Sequence, residues 1–392
     1  MIASAPSSAR TGLRIVPIRV KDLYRFSCEY LDNASGQRIS PITRHRALAQ
    51  SKNPYADPDD VGLLIAYDGD QCIGYQGILP GLVRTRSASG KVLWFTANYV
   101  LPEFRKRMVG ILFLKHVMSM GCDVVATGFE HAGAHMLKGL HFRELGPLTY
   151  GKLNLERLDF VGRLLSRGHR LQRRWPLLRS ISGRATGVSR ALLYRPARSL
   201  YFRRLARHVH RRLQGVRVRE ARNVRASAQS DENPAPRFER GVELINWTIE
   251  FPWVTENQAP TVPEYFFSDT RGLARRIVLE LESAGGQDLG FAVLFISELG
   301  GRRYVKITDH RCAPQNREAI LCACLKYALE YRASEIQWPL SFEDVAARLP
   351  LANCLLECVQ RPYMYFPSAQ SPIAEVAQEM VLDLSDGDCS FA

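Results

Sequence analysis

The stretch Tyr99-Val100-Leu101-Pro102-Glu103-Phe104-Arg105-Lys106-Arg107-Met108-Val109-Gly110 decides how this chain is read. Before it, Lys91 to Val100 is rich in aromatic and β-branched residues and reads as a strand that Pro102 stops. After it, apolar residues at 108, 109, 112, 113 and 117 form a helical stripe, predicting a helix over Arg105 to Met120. A helix N-terminus offers unpaired N–H groups and a positive dipole end, which suit phosphate oxygens. Arg105, Lys106 and Arg107 add positive charge at its mouth, and Gly110 has no Cβ to keep a ligand from the backbone. The residues alone describe an anion site on a strand–helix turn.

Working outward, strand and helix signals alternate. Strands are predicted at Leu13 to Val20, Val61 to Tyr67, Cys72 to Val83, Cys122 to Thr127 and Leu148 to Leu155. Helices are predicted at Leu23 to Leu31, Ile42 to Gln50 and Gly133 to Leu140, and Asp68-Gly69-Asp70 reads as a hairpin turn. The order is β-α-α-β-β-β-α-β-α-β. Further on, strands at Gly290 to Leu299, Arg303 to Asp309, Glu335 to Pro339 and Leu355 to Tyr365 alternate with helices at Glu318 to Tyr331 and Phe342 to Leu349. That order, β-β-α-β-α-β, repeats the second half of the first series.

Between the two series lies the charge. The 392 residues carry a net charge of +14, yet Arg157 to Arg225 alone holds twenty Arg, no Lys and only Asp159 and Glu220 as acids. The remainder of the chain is mildly acidic. Within this segment Ala197, Tyr201, Leu205, Val209 and Leu213 recur every four residues, with a similar earlier stripe at Leu164, Leu171, Trp175 and Leu178. A basic amphipathic helix pair suits an anionic membrane surface, ranked ahead of nucleic acid because no nucleic-acid motif accompanies it. The plainer reading is a helical insertion whose apolar stripe packs on a domain while its arginines are solvated. Three parts follow: residues 1–155, a basic insertion and linker over 156–236, and residues 237–392.

Composition bounds the class. The charged fraction of 23% is that of a soluble globular protein, and no apolar run is long enough to cross a bilayer. The polar start of the chain predicts no export, and nine cysteines without CxxC pairing predict a reducing cytoplasm without disulfides or zinc.

The turn resembles the acyl-CoA signature of the GNAT superfamily of N-acyltransferases, V-x-P followed by R-x-x-G-x-G/A at a helix start. Here it reads Val100-x-Pro102, then Arg105-x-x-Met108-x-Gly110, in matching element order over about residues 12 to 155. The resemblance implies an α/β (α+β) fold of two GNAT-like mixed-sheet domains, the second divergent, joined by the basic insertion. It implies that Arg105, Lys106, Arg107, Met108, Val109 and Gly110 cradle the pyrophosphate of acetyl-CoA or another acyl-CoA. Val100 and Leu101 would hold the pantetheine arm by backbone hydrogen bonds.

Two positions depart from the pattern. Met108 stands where the family has its first glycine, and Leu137 stands where it commonly has a general-acid tyrosine, before a pair that here reads His141-Phe142. Tyr99, His131 and His135 are alternatives for that acid. Glu130 and His131 are candidate bases because they follow the strand Cys122 to Thr127. The implied activity is transfer of an acetyl or larger acyl group to an amine, with an amino sugar or cell-envelope precursor as acceptor and a location at the inner face of the membrane. Two other readings share the fold: Fem-like aminoacyl transfer from charged tRNA, and an inactive scaffold.

The remaining features have structural readings. His131 and His135 lack a third metal ligand. Cys322-Ala323-Cys324 reads as packing, and Asp386-Gly387-Asp388 as a tail turn whose acids also suit the frame of a pocket. Ala313 to Glu318, the second turn of the GNAT-like type, has no glycine and carries an acid, so this half is not expected to bind CoA.

Overall fold

A computed structural model describes residues 12–86, 88–129, 131–155, 188–225, 235–267, 270–350 and 355–390. The chain forms two units that interleave in sequence: residues 1–148, 232–274 and 361–392 make the first, residues 149–231 and 275–360 the second.

In chain order the first series is β1 (Leu13–Arg19), α1 (Leu23–Asp32), α2 (Arg44–Ser51), β2 (Val61–Asp68), β3 (Gln71–Arg84), β4 (Ser89–Val100), α3 (Val109–Met118), β5 (Asp123–Thr127), α4 (His131–Gly139) and β6 (Arg143–Asn154). Next come α5 (Val188–Arg212), β7 (Val216–Ala221), β8 (Arg237–Phe238), α6 (Val242–Glu250), β9 (Thr255–Glu256) and β10 (Thr270–Arg271). The last series is β11 (Ala274–Ser283), β12 (Asp288–Leu299), β13 (Arg302–Arg311), α7 (Arg317–Glu330), β14 (Glu335–Pro339), α8 (Glu343–Ala346) and β15 (Leu356–Phe366).

In the first unit β1 to β4 run antiparallel in order, and β5 lies parallel to β4. The end of β15, from Arg361, belongs to this unit and pairs antiparallel with β5, Tyr363 opposite Thr127 and Phe366 opposite Val124. Gly69, at φ +60°, closes the β2–β3 hairpin as its Asp-Gly signal predicts. Residues 72–81 of β3 are buried without a break, the mark of a strand covered on both faces. Thr43 caps α2 by accepting from the Arg46 N–H at 3.2 Å.

In the second unit the end of β6, from Thr149, pairs antiparallel with β14. Gly151 stands opposite Trp338 there, and a Cβ on it would fall 2.2 Å from the indole nitrogen of this buried tryptophan. β14 lies parallel to β13, followed by antiparallel β12, β11 and β7. Strands β11 to β13, helix α7 and parallel β14 thus repeat β2 to β4, α3 and parallel β5. Each series also sends its last strand into the unit of the other.

The structure departs from the sequence reading at several elements. The helix expected over Arg105 to Met120 is a 3-10 turn, Pro102–Arg107, then a left-handed residue, Met108, then α3. Helix α8 is only four residues long, shorter than Phe342 to Leu349. β7, inside the basic segment, is a strand and not a helix, because Val216-Arg217-Val218-Arg219 alternates with period two. β6 begins at Arg143 rather than Leu148, and β8, β9, β10, β11 and α6 are not among the elements the sequence predicts. The earlier stripe of the basic segment lies outside the described residues. Of the later stripe, Tyr201, Leu205 and Val209 are buried, and α5 packs against α7 within the second unit. No helix among the described residues is long and apolar enough to cross a membrane.

Candidate functional site

Three local features converge at the end of β4. The first is a bulge. Gln76 pairs with Asn98 but Gly77 with Thr96, so Ala97 has no partner on β3 and adopts φ +43°. The buried Gln76 side chain holds it open, its amide donating to the Thr96 carbonyl at 2.5 Å and accepting from Asn98 Nδ2 at 2.6 Å. A Cβ on Gly77 would sit 2.5 Å from Thr96 Oγ1, so only glycine lets the strands close beside the bulge.

The second feature is a slot. β4 pairs with β5 only from Val92 to Phe95, whereas its pairing with β3 continues to Val100. Beyond Phe95, therefore, β4 keeps one partner and loses the other, and its β5-facing backbone is an open edge. Tyr99 lies on this stretch, half-buried, stacked on Phe266 at 4.2 Å and tilted against Tyr75 at 5.9 Å.

The third feature is the helix start beyond the strand. Leu101 donates its N–H to the Ile73 carbonyl at 2.9 Å, and Arg105 Nε donates to the Val100 carbonyl at 3.2 Å. These bonds fix the turn on the end of the strand. Arg107 pairs with Asp68 at 2.8 Å, while Lys106 is exposed with no ion pair among the described residues. The charge at the mouth is therefore smaller than three side chains suggest.

Met108 precedes α3 with φ +58° and ψ +26°, and its side chain is 58% exposed. It takes the backbone conformation that a glycine in this position would supply without strain. Val109 and Gly110 open α3, where N–H groups have no acceptor within the helix. A Cβ on Gly110 would meet nothing within 4 Å, so the approach to these amides is open. Two amides without a helical acceptor at an open helix start are chemistry that suits an anion. Replacing Met108 with glycine relieves about 1–2 kcal/mol of left-handed strain and adds about 0.5–1 kcal/mol of chain entropy cost. A net gain of about 0.5–1 kcal/mol is expected, read as a higher urea midpoint.

The candidate catalytic residues are placed unequally. Glu130 lies outside the described residues. His131 opens α4, but its side chain is not among those described, and His135 is exposed. Leu137 is buried at 3% in the core with Phe142, so the usual tyrosine position here does packing work. Tyr99 is thus the one hydroxyl among the predicted catalytic residues that the described structure places on the slot. Sequence reading missed the aromatic run around it, Tyr75, Tyr265, Phe266 and Phe267, because the last three come from a loop far along the chain.

The counterpart in the second unit has the same plan. β13 carries a bulge at Thr308 opposite β12, where the register shifts between Val293 and Leu294, and leaves its parallel partner β14 after Lys306. Its helix start differs, because Glu318 stands in the first turn of α7 and pairs with Arg212 of α5 at 2.8 Å. A carboxylate already occupies the positive end of that helix. Cys322 and Cys324 are buried inside α7, where burial pushes the Cys322 thiol up to about 12. The tail turn folds onto the first unit. Asp386 accepts the Asp383 N–H at 2.6 Å, and Gly387 lies so close to Trp94 that a Cβ would come within 2.5 Å of the ring. With Tyr55, Glu239, Arg240 and Trp247 these residues line a small cleft.

No protein-family model matches the chain, and no curated protein is significantly similar to it in sequence. Among solved structures it is similar to a GCN5-related N-acetyltransferase from Anabaena variabilis, with 7% identity over 90% of this chain and 72% of that one and a TM-score of 0.46. It is also similar to a tandem GNAT protein of the clavulanic acid biosynthesis pathway, with 11% identity over 91% and 98% of the two chains and a TM-score of 0.45. A third is Saccharomyces cerevisiae N-myristoyltransferase with bound myristoyl-CoA, at 10% identity, 93% and 85% coverage and a TM-score of 0.42. The likeness is coarse. The mixed α/β assignment stands on the strand order of each unit and on its bulge and slot.

Proposed function

We propose that the first unit transfers an acyl group from acyl-CoA to an amine. The observation that carries this reading is the loss of β5 pairing beyond Phe95 while β3 pairing continues to Val100. An extended thiol arm can lie along that open edge as a further strand would, and the amides of Val109 and Gly110 stand ready for the pyrophosphate beyond it. Bound acyl-CoA supplies the activated thioester.

The chain's own residues then have defined tasks. The bulge at Ala97 turns backbone out of the ladder beside the slot, where an N–H can polarise the thioester carbonyl. The Tyr99 hydroxyl supplies a proton to the departing thiolate, and the aromatic run excludes water from the slot. Glu318 at the equivalent turn of the second unit supports a non-binding, shaping role for that half.

Isothermal titration of the full chain with acetyl-CoA and myristoyl-CoA tests the reading. One site per chain is expected, with turnover on a suitable amine. Absence of binding removes the proposal, and binding without turnover on any amine leaves a scaffold that kept the fold.

Peripheral attraction to an anionic membrane rests on Arg203, Arg204, Arg207 and Arg211, which are exposed on α5. The stripe at Tyr201, Leu205 and Val209 is committed to the interior, so no apolar insertion accompanies it. Cosedimentation with phosphatidylserine vesicles is expected at low ionic strength and not at about 0.5 M salt, where the screening length falls below ~5 Å. Salt-independent binding, or none at low salt, would sink this part.

A further inference from the structure

We propose that Arg46 and Gln50 form a carboxylate-recognition site, so that the amine accepted by the first unit also carries a carboxylate. The inference rests on the acyl-transfer reading for its amine, and on the following geometry for its acid. Both residues belong to α2 and are one turn apart, which puts them on one helix face. Arg46 is 7% exposed and Gln50 3%. The Arg46 guanidinium lies 3.8 Å over the Trp253 ring and 5.7 Å from that of Tyr265. Its neighbour Arg44 pairs with Asp32, but Arg46 has no ion pair among the described residues. Gln50 has no hydrogen-bond partner for either its nitrogen or its oxygen among the described residues.

Each condition is costly alone. Buried side-chain amides are nearly always satisfied, and an arginine this deep is almost never without a counter-charge. Aromatic faces compensate the cation in part, but they do nothing for the amide one turn away. A single ligand group answers both needs. A carboxylate takes two parallel N–H groups from a guanidinium and has a further lone pair for an amide N–H. The flat guanidinium, backed by Trp253, presents that fork in a fixed plane.

The placement connects this pair to the slot. Tyr265, beside Arg46, stacks on Tyr75 at 5.8 Å, and Tyr75 in turn meets Tyr99. An acceptor lying along this run would hold its acid at Arg46 and its amine near Tyr99. Trp253 lies between α6 and β9 and Tyr265 between β9 and β10, so residues some 200 positions along the chain complete the site on α2.

Isothermal titration of the full chain with glycine, 6-aminohexanoate and triglycine, each against its C-terminal amide, tests the site. At least one acid is expected to bind tenfold or more tightly than its amide. Arg46→Met should abolish that preference. Gln50→Leu should weaken acid binding severalfold while raising the melting temperature, because it removes an unpartnered buried amide. Equal affinity for acids and amides, no binding of any acid, or a preference that survives both variants overturns the proposal. Turnover with acyl-CoA is followed separately. Acid binding without turnover removes the transfer reading and keeps the carboxylate site; turnover on amines without acid preference does the reverse.

Discussion

Replacing Gly110 with aspartate is expected to weaken acetyl-CoA binding by about 100-fold while leaving the fold intact or slightly steadier. Gly110 sits in the first turn of α3, and a side chain added there would meet nothing within 4 Å. No clash opposes the substitution. Aspartate is a better helix residue than glycine by about 0.3 kcal/mol, and a carboxylate in the first turn adds roughly 0.3–1 kcal/mol through the helix dipole. The ligand experiences the opposite effect. A negative charge about 5 Å from a pyrophosphate oxygen, at an effective dielectric of about 20, costs about 3 kcal/mol, which is roughly two decades in affinity. Gly110→Ala separates charge from bulk: it should raise stability by up to about 1 kcal/mol and change binding far less. Titration calorimetry and thermal melts on both variants give the comparison. If Gly110→Asp bound acetyl-CoA as the parent does, the pyrophosphate would not lie on this turn.

The second unit already contains the same experiment. Glu318 occupies the first turn of α7, where the repeated plan would place an anion site, and Arg212 holds it there. That acid was visible in the sequence, and so was the whole order of strands and helices on which the repeat depends. Periodicity and turn chemistry are local, and they located β2, β3, β4 and β14 to within two residues. Three determinants of the site were not local. The bulge at Ala97 is held by Gln76 from the neighbouring strand, and an alanine in a run of β-formers gives no hint of φ +43°. Met108 reads as one more apolar position of a helix, although the chain there is left-handed and breaks the helix in two. The crossing of β6 and β15 into opposite units depends on which edge each strand finds, and a pattern of alternating residues specifies a face but not a partner. The same reason hid the role of the loop at Trp253 to Phe267, whose aromatic residues pack more than 150 positions away from Tyr75 and Tyr99 in sequence.

The largest loss of stability in the first unit is expected from Asp123→Ala, about 4 kcal/mol. Asp123 opens β5 and is 1% exposed, and sequence reading assigns it no role beyond its place in the strand predicted over Cys122 to Thr127. Its carboxylate accepts from the Ser368 N–H at 2.7 Å, the Ser371 hydroxyl at 2.7 Å and, at longer range, the Ile373 N–H. These donors belong to the segment that follows β15, so one side chain ties the end of the chain to the strand that borders the slot. Removing it leaves two backbone N–H groups and a hydroxyl without their acceptor, each costing about 1–3 kcal/mol when buried. Asp123→Asn keeps one acceptor oxygen and should lose about half as much, and Ser371→Ala about 1 kcal/mol. The order Ala, then Asn, then Ser371→Ala in denaturant titrations is the result to look for. The tail carries Gly387 against Trp94, so Asp123→Ala should also redshift tryptophan emission and open residues 367–390 to proteolysis before the rest of the unit unfolds. Equal stability of Asp123→Ala and the parent would mean that the tail is held by its apolar contacts alone, Ile373 and Leu384 being fully buried.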